Sequence, residues 1–78
     1  VKDPVEYRKA LGQAIMERRE KLGFSREKLA RLLGVSIDYV IIVESGKNDL
    51  RLTEMMCIAG MLGIPLSTLL AITESIVS

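Results

Sequence analysis

Apolar residues recur every three to four positions along nearly the whole chain. The breaks between those runs fall at glycine, proline and small polar residues. That period belongs to helices and not to strands. The first run carries Val5, Leu11, Ala14, Ile15 and Leu22. It predicts a helix over about 4–22 with those residues on its inner face. Asp3 before Pro4 is a favourable start, because proline at the first helical position gives up no needed donor. Gly12 inside the run costs about 1 kcal/mol relative to alanine, which points to close helix packing there. Gly23 ends the helix, and Phe24 is expected to tuck into the core beside it. Val1 to Asp3 are expected to fray.

The stretch from Ser25 to Glu44 organises the rest. It reads as two short helices, about 25–33 and 36–44, joined by a tight turn. Ser25 is a good N-cap, since its hydroxyl can accept from an orphan backbone N–H. Lys28 stands where a capping box wants Glu or Gln, so only the simple cap is expected. Leu29, Ala30, Leu32 and Leu33 form the apolar face, and Gly34 can close the helix with a positive φ. Ser36 recaps the chain, and Val40 and Val43 share one face of the second helix. Helices this short are not stable alone and must pack on others. The layout is that of a helix-turn-helix.

Beyond it, Ser45-Gly46-Lys47-Asn48-Asp49 reads as a loop, with Leu50 and Leu52 plugged back onto the core. Thr53 is expected to cap a fourth helix that runs to Leu62, with Met56, Ile58, Ala59 and Leu62 among its apolar positions. Gly63 and Pro65 stop it. Ser67 is expected to cap a fifth helix, about 66–76. Leu69, Leu70, Ile72, Ile76 and Val77 do not fall on one narrow stripe. Two can enter the core and the rest need another cover, so this helix is expected to carry Leu69, Leu70, Ile72 and Ile76 into a homodimer. The bland alternative is a fraying tail.

Composition narrows the picture. The chain has 78 residues, enough for one small domain over about 4–76. With three aromatics and no Trp, its core must be Leu, Ile, Val, Met and Ala. Cys57 is alone, so no internal disulfide forms. Without histidine, a structural zinc site lacks ligands. No cofactor, metal or small-molecule ligand is expected. No apolar run is long enough to span a bilayer, and no signal-peptide pattern is present. The default expectation is a cytoplasmic protein. The start at Val1 in place of Met is expected of a processed or trimmed chain. An enzyme is disfavoured, because Cys57 has no evident base and no glycine-rich phosphate loop of the required spacing is present. The net charge is +1, so nucleic-acid binding depends on where the positive charge gathers.

The ordered features resemble a known family. They are Leu11-Gly12, Ile15, Arg19, the segment Gly23 to Ala30, Leu33-Gly34-Val35-Ser36, Tyr39-Val40, Glu44-Ser45-Gly46-Lys47, Ile58-Ala59 and Leu62-Gly63-Ile64. In this order and spacing the chain resembles the Cro/C1-type (XRE-like) helix-turn-helix family from about Leu11 to Leu70. The resemblance implies an all-α, compact five-helix lambda-repressor-like domain. It further implies a dimeric regulator of transcription whose partner is double-stranded DNA with a near-palindromic operator. Gly46 to Leu52, and Ile64-Pro65 before Ser-Thr-Leu-Leu, look most like the controller proteins of restriction–modification systems.

Carried over from the family, the base-reading positions are Ser36, Ile37, Asp38, Ile41 and Ile42. This chain departs from the usual pattern there, because the three isoleucines form no base-edge hydrogen bonds. They can pack on thymine methyl groups, and Asp38 can accept from cytosine N4. Shape-dependent readout is then expected to matter. A second reading stays open, in which this face binds protein on the same scaffold. Arg26, Lys47, Asn48 and Arg51 are the expected phosphate contacts, against the plain reading of solvated surface residues. The resemblance also implies a partly buried structural ion pair between Arg19 and Glu44. Arg18 is a second departure, because the family usually has an apolar residue there, and Met16 and Leu22 are expected to shift the buried stripe. Glu54 is expected to be a solvating charge. Cys57 is expected to be a buried or half-buried hydrophobe.

Overall fold

The Asp3 carboxylate accepts the Val5 N–H at 2.7 Å and opens helix α1, Pro4–Lys21. The structure is a computed structural model that describes residues 3–78. Asp3 is therefore a working cap and not a frayed residue, while the expectation for Val1 and Lys2 lies outside the described residues. The buried stripe of α1 is Ala10, Leu11, Gly12, Ala14, Ile15 and Arg19. Val5 and Leu22, expected on the inner face, are exposed. Arg19 takes the core-facing place in the last turn, and Leu22 falls past it. Phe24 is only half-buried, with the Lys28 ammonium 4.4 Å from its ring centre, and does not join the core.

Helix α2, Arg26–Leu33, begins where the Ser25 hydroxyl accepts the Lys28 N–H at 3.0 Å. Gly34 ends it in the left-handed region. Helix α3, Ile37–Ser45, repeats the device, with the Ser36 hydroxyl accepting the Tyr39 N–H at 3.2 Å. Helix α4, Leu52–Met61, starts two residues earlier than a Thr53 cap requires. Thr53 therefore lies inside the first turn, and the Glu54 carboxylate accepts the Arg51 N–H at 2.9 Å instead. Leu50 packs against the core, but Leu52 and Met56 point outward. Helix α5, Leu66–Val77, is likewise not capped by Ser67; the Pro65 carbonyl accepts from Thr68 and Leu69 at its start.

Ile15, Leu29, Val40, Leu62 and Leu69 fill the centre, as an aromatic-poor chain demands. Helix α5 lies along α1, α3 packs on both α1 and α2, and α4 bridges α2 and α5. One residue of the expected dimerisation surface is corrected. Leu69 is wholly buried within the monomer and is out of reach of a second chain. Leu70, Ile72 and Ile76 are half-buried against the chain's own core, where α1 lies along α5 and supplies part of their cover. No single helix among the described residues is long and apolar enough to cross a membrane.

Gly12 allows the closest approach between α1 and α3. A Cβ there would stand 2.6 Å from the carbonyl oxygens of both Val43 and Glu44. Gly12→Ala should thus destabilise the fold by roughly 1–3 kcal/mol, the cost of an overpacked contact, despite the better helix propensity of alanine. Urea denaturation measures this, and an unchanged or higher midpoint would contradict the contact.

Candidate nucleic-acid interface

The backbone contact at Gly12 brings the ends of three helices to one point. Arg19 lies in the last turn of α1 and Glu44 in the last turn of α3. Arg19 Nε donates to Glu44 Oε2 at 2.7 Å, and Nη2 reaches Oε1 at 3.2 Å. The third nitrogen, Nη1, donates to the Phe24 carbonyl at 2.8 Å. The side chains are only 8% and 3% exposed. The hydrogen bond to Glu44 pushes the Arg19 guanidinium further up from its ordinary value, and burial opposes that shift. Arg26, at the first turn of α2, donates from Nε to the same Glu44 Oε1 at 3.0 Å. One carboxylate thus holds two arginines from two other helices.

This junction fixes how α3 stands on the body. Ile37, Ile41 and Ile42 are 41%, 43% and 44% exposed, and Ser36 and Asp38 are exposed beside them. The Ser36 hydroxyl is already engaged in capping α3. After α3, Gly46 combines a φ of +79° with a contact in which a Cβ would meet Lys9 Cα at 2.6 Å, so only glycine fits. Lys47 follows it and is exposed, Asn48 is half-buried, and Arg51 is exposed at the start of α4. Sequence reasoning missed the bond from Arg26 to Glu44, because it joins residues 18 apart.

Two other links were not foreseen. The Tyr39 hydroxyl donates to Glu54 Oε2 at 2.6 Å and ties α3 to α4. Glu54 is therefore not a free solvating charge. Its carboxyl is held below the usual range by the Tyr39 hydrogen bond and then by the Arg51 N–H. Burial, and then the bond to Glu54, pushes the Tyr39 phenol up to about 12. Arg18 Nε donates to the Leu62 carbonyl at 2.9 Å, closing the end of α4. The buried stripe has therefore not shifted: Arg18 lays its polar head on a helix terminus, Met16 is half-buried and Leu22 exposed. Cys57 is exposed beside an open groove of about 270 Å³ lined also by Leu33, Val35 and Tyr39, not buried as expected.

The fold and the exposed second helix define a helix-turn-helix module. Residues 15–69 match the helix-turn-helix family. Similar folds occur in two crystal structures of the clp gene regulator ClgR from Corynebacterium glutamicum. Each is 24% identical, with TM-scores of 0.87 and 0.88, covering 91% and 92% of this chain and 76% and 94% of theirs. A hypothetical transcription factor from Neisseria, NHTF, is 31% identical over 87% of this chain and 76% of its own, with a TM-score of 0.78. A comparison with curated proteins found no match. The chain belongs to the XRE/Cro-type helix-turn-helix family of DNA-binding transcriptional regulators.

The Tyr39–Glu54 link carries a pH signature. The unfolded phenol titrates near pH 10, the folded one near 12. The stability that comes from the neutral phenol is full below about pH 10 and is lost as pH rises towards 12. The Glu54 shift acts in the opposite sense, with its contribution lost as the carboxyl protonates on acidification. Tyr39→Phe should thus flatten the fall in urea midpoint between about pH 10 and 12. Equal slopes in both proteins would contradict the link.

Proposed function

We propose that the chain is a sequence-specific regulator that binds double-stranded DNA as a homodimer on a near-palindromic operator. The observation that carries this reading is the exposed outer face of α3, with exposed Arg26 before it in the chain and exposed Lys47 and Arg51 after it. A helix so presented can lie in a major groove while the flanking cations meet phosphates. NHTF, described as a hypothetical transcription factor, supports the same direction. The isoleucines supply apolar contacts to thymine methyl groups, and Asp38 an acceptor for cytosine N4. Direct readout of this kind is modest, so DNA shape carries part of the specificity.

A two-fold pair is supported by α4 more than by α5. Leu52, Met56 and Met61 are exposed on α4, and the exposed positions between them carry no charge. Such a face favours a second subunit over water. The narrower likeness to restriction–modification controller proteins rests on Gly46 to Leu52 and on Ile64-Pro65 before Ser-Thr-Leu-Leu alone. A second reading, a protein-binding module, is favoured by one observation: three isoleucines exposed on one helix face.

Selection of bound duplexes from a random pool, followed by salt titration on the selected duplex, separates the two. Three cations per subunit, six per pair, give a log–log salt slope of about −5. Two inverted half-sites should emerge with centres ~34–36 Å apart. No enriched sequence together with a flat salt response would favour the protein-binding module.

A further inference from the structure

We infer that Glu44 is a positioning residue for DNA, holding the Arg26 guanidinium in the orientation that receives a phosphate. This deepens the DNA-binding reading and rests on it. The carboxylate of Glu44 has lone pairs enough for several donors. Arg19 donates to Oε2 at 2.7 Å and to Oε1 at the longer distance of 3.2 Å, and Arg26 Nε donates to Oε1 at 3.0 Å. The Glu44 side chain is 3% exposed, while that of Arg26 is 44% exposed. The bond therefore grips Arg26 at its inner nitrogen and leaves its outer end in solvent. Among the described residues, nothing else accepts from Arg26, so Nη1 and Nη2 form a free fork. A fork of two parallel N–H groups matches two phosphate oxygens.

The charge count favours the same role. Arg19 and Arg26 bring two positive charges to one carboxylate, so a net charge of +1 remains. Arg19 is buried, and the surplus is expressed at the exposed end of Arg26. Glu44 does not cancel the phosphate contact, because Arg19 already answers its charge. What Glu44 adds is restraint. A free arginine loses side-chain freedom when it meets a phosphate, whereas one already held at Nε has lost much of it beforehand. Glu44 is itself seated on the body of the domain, because its backbone carbonyl packs against Gly12 of α1. The contact point on the DNA is thereby referenced to the core of the domain.

The test compares Arg26→Lys, Arg26→Ala and Glu44→Gln on the selected duplex, with folding checked by circular dichroism. Arg26→Lys keeps the charge but loses the fork, so the salt slope should stay unchanged while affinity falls by about fivefold or more. Arg26→Ala should lower the slope by about 0.9 per subunit. Glu44→Gln should cost affinity in the wild-type background and little or nothing further in the Arg26→Lys background. Additive effects would overturn the positioning role, as would wild-type affinity in Arg26→Lys. Should Glu44→Gln fail to fold, the Arg26 Nε–H signal of the wild type in nuclear magnetic resonance decides the matter. Slow solvent exchange in the free protein supports the grip, and exchange as fast as that of Arg31 overturns it. If the wild type itself shows no salt-dependent binding, the DNA reading fails and takes this inference with it. If the wild type binds and the variants behave alike, only the inference fails.

Discussion

A carboxylate buried where three helices meet is the constraint on which the rest depends. Placing the Glu44 charge out of water costs several kcal/mol unless its lone pairs are filled. Arg19 fills them from α1 and Arg26 from α2, and a third arginine nitrogen returns to the Phe24 carbonyl between those helices. A hydrophobic trio of similar size can pack as stably, but it does not fix the angle between helices through directed bonds. Gly12 lets the backbone at the end of α3 come close to α1 at this junction; a Cβ there would stand 2.6 Å from the Val43 and Glu44 carbonyl oxygens, so the last turn of α3 would have to shift.

From that junction the geometry of the α3 face follows. Val40 and Val43 point into the core, so Ile37, Ile41 and Ile42 are turned outward by the helical period alone. Tyr39 adds a second tether, to Glu54 on α4. The helix is thus held at its start by the Ser36 cap and Tyr39 and at its end by Glu44. Its outer surface is unusually apolar for a base-reading element. In the proposed reading, affinity comes chiefly from the flanking cations, and the isoleucines discriminate by methyl contact and by the shape of the groove.

Much of this was legible in the residues. The five helices, the serine caps of α2 and α3 and the glycine stops are written in local signals, and local hydrogen bonds decide them. The close contact at Gly12 was legible for the same reason, because glycine in a helix needs an explanation. The candidate face of α3 came from the family resemblance, which carried the base-reading positions onto it. What was not legible depends on partners far away in the chain. Thr53 and Ser67 are plausible caps by composition, yet Glu54 and the Pro65 carbonyl satisfy those helix starts first. The apolar side of α5 looked unpartnered because nothing in its own sequence shows that α1 will lie along it. Arg26 read as a free phosphate contact, since only the folded chain brings Glu44 to its Nε.

The most direct measurement is the unfolding free energy of Arg19→Ala by urea denaturation. Removing Arg19 leaves the buried Glu44 charge with only the part-exposed Arg26, so a loss towards the lower end of ~3–5 kcal/mol is expected. That is a large part of the ~5–15 kcal/mol that holds a domain together. A loss below about 0.5 kcal/mol would mean that the carboxylate is solvated and that the junction does not set the position of α3.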